Sequence, residues 1–285
     1  MSALETPPLS QQVPHDTARD TGTVFGSLAP ARRRFVLLGL GVVLAILVLG
    51  SGVMVVRLSR DVSPVPQDVP GPVILVAGYG GSVRSLEPLQ RVLTSAGRDV
   101  VVMDAVADGT GDIATQAKAL AATAEDALER FDAASVDVVG YSAGGVVARS
   151  WVRDHGGDAM ARRVLSIGSP QHGTTVAEVA AGTFGDCPVA CRQLTPDSDF
   201  LRALNAGDET PDGPRFISIW STSDDVVLPV DSARLEGALN FTVQSTCPQA
   251  RTGHGALPGD GFVIASLGTV LSAGPPRPPD ESVCD

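Results

Sequence analysis

The chain has 285 residues, of which 44% are hydrophobic, and it carries 21 basic and 32 acidic side chains for a net charge of −11. This composition suits one sizeable globular domain with appendages. Lys118 is the only lysine, which excludes Schiff-base chemistry, Walker phosphate loops and Ser-Lys dyads. Residues 61–285 hold 29 acidic against 15 basic side chains, so we expect no nucleic-acid partner.

The amino-terminal segment predicts a membrane anchor. Residues 1–34 are polar and proline-containing without apolar periodicity, and we expect a disordered cytoplasmic tail. Residues 35–56 follow three arginines, contain no charge and would cross a bilayer as one helix, with the rest of the chain outside the cytoplasm. The alternative is a cleaved signal peptide, after which the domain would be secreted. Residues 57–71 contain several prolines and predict a semi-rigid linker.

Strand and helix patterns alternate from residue 72 onward. Buried strands are predicted at 72–77, 99–103, 136–139, 164–168, 215–220 and 238–243, and helical patterns lie between most of them. This alternation predicts an α/β fold, with a mostly parallel sheet and helices on both faces. The domain is predicted at 72–272, with a proline-rich tail at 273–285. Between residues 172 and 214 the pattern lapses, and we expect a small cap or lid there.

Residues 140–144 read G-Y-S-A-G and lie between a buried strand and an amphipathic helix. A strand that turns this sharply into a helix forces Ser142, at the apex, into a strained backbone conformation. Gly140 and Gly144 leave the room that such a turn requires. The helix behind Ser142 also points free N–H groups at any anion that forms there. This arrangement predicts a nucleophile elbow.

A serine hydroxyl needs a base to become a nucleophile, and four histidines are available. His254, in T-G-H-G after the last strand, stands where a base would follow the acid in chain order. His172 would reverse that order, although it follows a strand at the same sheet edge. His15 lies outside the domain, and His155 lies at the end of the elbow helix, where a surface or capping role fits better.

The acid and the oxyanion donors are predicted on loops that follow strands. Asp224 and Asp225 both follow the strand at 215–220, and only one of two adjacent side chains can hold the imidazole. The N–H groups of Ala143 and Tyr79 are the predicted oxyanion donors. The G-Y-G-G sequence around Tyr79 is not a dinucleotide fingerprint, because Val83 occupies the third glycine position. We expect no cofactor and no metal.

Four motifs together carry a family resemblance: A-G-Y-G-G after the first strand, G-Y-S-A-G, S-T-S-D-D-V-V and T-G-H-G. They resemble the small bacterial class 2 triacylglycerol lipases and their exported actinobacterial relatives, over about residues 72–272. The resemblance implies the α/β-hydrolase fold and a triad of Ser142, Asp224 and His254, with Tyr79 and Ala143 as the oxyanion hole. Two features depart from the family: Ala77 replaces the usual histidine before the glycine, and residues 175–213 are longer than in the smallest members.

The resemblance implies a serine hydrolase that cleaves carboxylic ester bonds of a lipid or acylglycerol through an acyl-enzyme. The expected partners are this ester or lipid substrate and, through residues 35–56, the membrane. An envelope acyltransferase that uses the same acyl-enzyme is an alternative function. A non-catalytic hydrolase-like binding module is a second alternative, against which the complete set of triad residues argues.

All four cysteines follow the apolar segment, which suits two disulfides in an oxidising compartment. Three pairings are possible. We favour Cys187 with Cys191, because they are local, and Cys247 with Cys284, because this bond would tie the tail near the His254 loop. A zinc site is the alternative, but the C-x3-C spacing has no clear second ligand pair.

Overall fold

The computed structural model describes residues 38–44, 64–183 and 187–284, which fall into two compact units divided between residues 61 and 62. In the first unit only residues 38–44 are described, and they are helical. Among the described residues, no helix combines the length and the apolar character needed to cross a membrane. The predicted tail at 1–34, most of the predicted span at 35–56 and the first part of the linker lie outside the described residues.

The second unit is built on a sheet of six strands, all paired in parallel, in the order β2-β1-β3-β4-β5-β6. The six predicted strands are confirmed, each within three residues of its expected bounds. The strands are β1 (Val73–Val76), β2 (Val100–Val102), β3 (Val136–Tyr141), β4 (Ala161–Ile167), β5 (Arg215–Trp220) and β6 (Leu239–Thr242).

Eight α-helices are described in this unit, joined by short 3₁₀ segments. They are α1 (Glu87–Ser95), α2 (Ile113–Phe131), α3 (Ala143–Asp154), α4 (Thr175–Thr183), α5 (Val189–Gln193), α6 (Asp199–Leu204), α7 (Val243–Thr246) and α8 (Gly261–Val270). The three helices α4, α5 and α6 occupy the segment for which no periodic pattern was found. Each is shorter than ten residues, so helical periodicity barely repeats within it.

Helices cover both faces of the sheet, because the strands carry apolar side chains on both faces. In β1, Val73 and Leu75 face one core, and Ile74 and Val76 face the other. The first core is completed by α1 and α8, and the second by α2, α3 and the inserted helices. Burial on both faces explains why the strands read as continuous apolar runs.

Both favoured disulfides are present. Cys187 pairs with Cys191 and Cys247 pairs with Cys284. The first bond lies in the inserted segment, which also contacts the rest of the domain where the Ala190 N–H donates to the Thr110 carbonyl. The second ties the predicted tail to the residues that follow β6.

A cluster of charged side chains lies at the amino-terminal ends of the strands, at the opposite end of the sheet from the carboxyl ends. Asp137, near the start of β3, is fully buried and accepts hydrogen bonds from Arg98 at 2.7 Å and from Arg162 at 2.5 and 2.9 Å. The two arginines also donate to backbone carbonyls of Gln67, Gly71, Leu271 and Ser272. Gln67 and Gly71, in the last part of the predicted linker, are therefore hydrogen-bonded to the domain.

Candidate active site

Ser142 lies at the turn between β3 and α3, with φ 53° and ψ −126°. A positive φ is rare for a serine and costs free energy, so the predicted backbone strain is confirmed. A Cβ atom at Gly140 would collide with the backbone of Gly144, and one at Gly144 would collide with the carbonyl of Val76. Both glycines are needed because the elbow helix passes directly over the neighbouring strands.

The structure brings together the three side chains predicted for the triad. His254 Nε2 lies 3.0 Å from the Oγ atom of Ser142, and His254 Nδ1 lies 2.8 Å from Oδ2 of Asp224. A carboxylate can only accept a hydrogen bond, so Nδ1 carries the proton and Nε2 is left to accept the serine proton. His254 and Asp224 are buried, whereas Ser142 is partly exposed.

Asp224 is stabilised as a carboxylate. Burial of the side chain raises its pKa, but hydrogen bonds from His254 and from the N–H groups of Val227 and Val226 outweigh that effect, and the pKa lies below its usual value. The acid therefore stays charged at neutral and mildly acidic pH. A fixed negative charge beside Nδ1 is what an imidazole requires when it takes up a proton at Nε2.

The two adjacent aspartates of the acid loop have different partners. Asp224 contacts the His254 ring, whereas Oδ1 of Asp225 accepts a hydrogen bond from the His254 backbone N–H at 3.1 Å. The structure thus separates two carboxylates that the residues alone left as alternatives. Which aspartate contacts the imidazole depends on the direction of each side chain. The sequence does not indicate that direction for two neighbouring residues.

The loop after β1 passes beside the serine. A Cβ atom at Gly78 would lie 2.8 Å from the Cβ of Ser142, so the following residue, Tyr79, is next to the elbow. Within the described part of the chain, the Tyr79 N–H donates to no other group of the protein. Ala143 is the first residue of α3, where backbone N–H groups have no intrahelical acceptor. Both N–H groups are therefore available to an oxyanion, and their role as its donors stays a prediction.

The remaining histidines of the domain lie outside this arrangement. His155 is the C-cap residue of α3, immediately after Asp154, and its N–H donates to the Trp151 carbonyl, which agrees with the capping role. The His172 ring contacts Glu209 at 2.7 Å instead of the serine.

Two positions at the site were not found from the sequence. Gly168, with φ 55°, ends β4 so closely beside the triad that an added Cβ would lie 3.4 Å from both Asp224 and His254. The ring of Tyr141 stacks on the imidazole of His254, with ring centroids 5.2 Å apart. The position of Gly168, directly after an apolar strand, was a sequence signal that could have identified it. No such signal exists for Tyr141, because its role depends on a contact with a residue 113 positions away.

A six-stranded parallel sheet with a serine on this strand-to-helix turn has the α/β-hydrolase fold. Bacillus licheniformis lipase BlEst2 in its mature form is similar, with a TM-score of 0.60 and 19% identity over 74% of this chain and 94% of that chain. Aspergillus fumigatus lipase B has a TM-score of 0.66 and 21% identity, over 75% of this chain and 56% of that chain.

The family model for lipase (class 2) matches residues 126–256, a range that contains Ser142, Asp224 and His254. No curated protein matches the chain. The family match supports a carboxylic ester hydrolase that resembles the class 2 lipases over residues 126–256, and the two lipase structures show the same fold. The further resemblance to exported actinobacterial members stays a prediction.

Proposed function

We propose that the protein is a serine hydrolase that cleaves carboxylic esters of lipids or acylglycerols through a Ser142, His254 and Asp224 triad. The observation that carries the proposal is the continuous hydrogen-bond path from the Asp224 carboxylate through His254 to the Ser142 hydroxyl, at 2.8 and 3.0 Å. The path ends at a strained elbow beside two free backbone N–H groups. A nucleophile, a base, an orienting acid and oxyanion donors are the parts that acyl transfer needs.

In the proposed mechanism, the Ser142 hydroxyl gives its proton to Nε2 of His254 while its oxygen attacks the ester carbonyl. The oxyanion that forms is held by the N–H groups of Tyr79 and Ala143. His254 then protonates the leaving alcohol, which departs and leaves the acyl group on Ser142. Water then gives a proton to the same imidazole and attacks the acyl carbonyl. The bond to Ser142 breaks, His254 returns the proton to the serine oxygen, and the carboxylic acid is released.

Apolar side chains near the site support a substrate with an apolar part. Tyr79 belongs to the oxyanion loop and is 45% exposed, and Val226 belongs to the acid loop and is also exposed. Val176 and Val179 are exposed on α4, which begins where the Thr175 N–H donates to the Leu228 carbonyl of the acid loop. Exposed apolar side chains on the segments next to the site suit an acyl chain better than a small polar ester.

A series of p-nitrophenyl esters with acyl chains of increasing length tests this function. The full chain is expected to hydrolyse them with a kcat/KM that depends on chain length, and triacylglycerol emulsions should release free fatty acid. Addition of an alcohol distinguishes transfer from hydrolysis, because an acyltransferase would form the new ester in place of the free acid. Equal rates with and without the enzyme for every ester would contradict the proposal.

The proposed mechanism predicts that activity falls at acidic pH, because the imidazole must be neutral to accept the serine proton. Asp224 does not contribute to this fall, since its lowered pKa keeps it charged there. The measurement is kcat/KM against pH between 5 and 9, at constant ionic strength. Activity that is unchanged down to pH 5 would exclude a histidine base.

Asp224→Asn is expected to lower kcat by about 10³- to 10⁴-fold, because an amide neither compensates an imidazolium charge nor enforces the required tautomer. Asp231→Asn is the matched control, since it removes an exposed carboxylate from the same segment and should keep full activity. Steady-state kinetics with one ester compare both variants. Near-normal turnover by Asp224→Asn would assign the acid role to another residue.

We also propose that residues 35–56 anchor the protein in the membrane with the domain on the extracytoplasmic side. All four cysteines form disulfides, which persist in oxidising compartments, and this supports export of the domain. Membrane fractions washed with alkaline carbonate should retain the protein, and protease added to spheroplasts should degrade the domain. Recovery of the protein in the culture medium would favour the cleaved signal peptide instead.

A further inference from the structure

The backbone of His254 is held on both sides by groups that the proposed mechanism does not use. Its N–H donates to Oδ1 of Asp225 at 3.1 Å, and its carbonyl accepts a hydrogen bond from the Tyr141 hydroxyl at 3.0 Å. The first partner comes from the acid loop and the second from the end of the elbow strand. The base is therefore tied directly to the two segments that carry the acid and the nucleophile.

Tyr141 is well suited to hold the base near the nucleophile, because it immediately precedes Ser142 in the chain. Its side chain is buried, and its ring stacks on the His254 imidazole at an interplanar angle of 29°. Burial, with the nearby charges of Asp224 and Asp225, raises the pKa of Tyr141 to about 12. The phenol consequently remains protonated and keeps its hydrogen-bond donor over the working pH range.

The loop around His254 needs such support. Gly253 and Gly255 flank the histidine, and glycine leaves the backbone freer than any other residue does. The imidazole must nevertheless stay at hydrogen-bond distance from Ser142, since a misplacement of about 1 Å can cost about 10²-fold in rate. A Cβ at Gly253 would lie 3.4 Å from Oδ1 of Asp225, which is ordinary van der Waals contact, so the carboxylate packs directly beside this part of the backbone.

We propose that Tyr141 and Asp225 are positioning residues, which hold the main chain of His254 and thereby set the distance between base and nucleophile. The inference rests on the proposed function, because it assigns His254 the role of base. Tyr141 acts from the nucleophile side and Asp225 from the acid side. Loss of either contact leaves the triad side chains present but reduces the fraction of time they spend in the reactive geometry.

Three variants test the proposal in the full chain. Tyr141→Phe keeps the stacked ring and removes only the hydroxyl, and Asp225→Ala removes the acceptor for the His254 N–H. Each is expected to lower kcat by about tenfold with little change in KM, since the contacts act on the chemistry and not on substrate binding. Asp225→Asn restores an acceptor oxygen at the same position and is expected to recover most of the lost kcat.

Two control variants separate positioning from general loss of structure. Ser266→Ala removes another buried hydroxyl that donates to a backbone carbonyl, that of Phe262 in α8, at 2.8 Å. Asp231→Ala removes an exposed charge six positions after Asp225. Both should keep the wild-type kcat. A second readout is the rate at which a fluorophosphonate labels Ser142, which should fall in Tyr141→Phe and Asp225→Ala in parallel with kcat.

Unchanged kcat and labelling rate in both Tyr141→Phe and Asp225→Ala would overturn the proposal. A failure of Asp225→Asn to recover activity would overturn the part assigned to Asp225. The proposed function is judged separately by the wild type and Ser142→Ala: if they hydrolyse the ester equally, the function fails and this inference fails with it. If only the wild type is active, the positioning variants judge the inference alone.

Discussion

Ser142→Ala is expected to abolish ester hydrolysis, with kcat reduced by at least about 10⁴-fold. The substitution removes the nucleophilic oxygen, which lies 3.0 Å from His254 Nε2. The oxyanion donors would remain, so a small residual rate above the uncatalysed reaction is expected. Hydrolysis of a short p-nitrophenyl ester measures the loss.

The protein should remain folded after this change. Alanine is about the same size as serine, the hydroxyl is partly exposed, and the flanking glycines still leave room for the strained turn. We expect the Tm to change by no more than about 2 °C, on the scale of a surface substitution. Ser95→Ala, at an exposed position at the end of α1, is the matched control for activity. Turnover by Ser142→Ala equal to that of the control would refute the assignment of the nucleophile.

Asp137→Asn is expected to lower the free energy of unfolding by about 3–5 kcal/mol. The carboxylate compensates the charge of Arg162, and the side chains of both residues are fully buried. Removal of one partner leaves an uncompensated positive charge in the interior, which costs far more than loss of an exposed ion pair. For a domain of this size the Tm should fall by roughly 10 °C.

Thermal and urea denaturation, followed by circular dichroism, measure this effect. Glu125→Gln removes an exposed acid from α2 and should leave the Tm within about 2 °C of the wild type. Asp137→Asn should retain activity at temperatures where it is folded, because the cluster and Ser142 lie at opposite ends of β3. If Asp137→Asn melts at the same temperature as the wild type, the hydrogen bonds of Arg98 and Arg162 to backbone carbonyls are sufficient to stabilise their charges.

The four central strands were predictable because they are buried on both faces, and each is therefore a short run rich in β-branched and aliphatic residues. Ser142 and His254 were predictable for a different reason. The elbow requires glycines at fixed offsets from the serine, and the fold requires the base to follow the last strand. The first requirement concerns residues close together in the chain, and the second concerns only their order. Both can therefore be recognised in the sequence.

The inserted helices α4, α5 and α6 were not predictable. Each is short, and they are held by contacts that are distant in sequence, such as the Gln193 side chain that accepts from the Ile113 N–H at 2.9 Å. Helices of this length are marginal by themselves and depend on tertiary packing. The Asp137 cluster could not be predicted from the sequence either, because Arg162 and Arg98 lie 25 and 39 residues from Asp137 in the chain.

The amino-acid sequence by itself determined the parallel α/β architecture, the elbow at Ser142 and the place of His254 in the chain. Only the tertiary structure decided how the two neighbouring aspartates divide their contacts, since Asp224 turns to the imidazole and Asp225 to the backbone of the same histidine. It also decided that Tyr141 reaches the His254 carbonyl. Side-chain direction and long-range contact arise when loops from different strands meet at one edge of the sheet, and neither leaves a local pattern in the sequence.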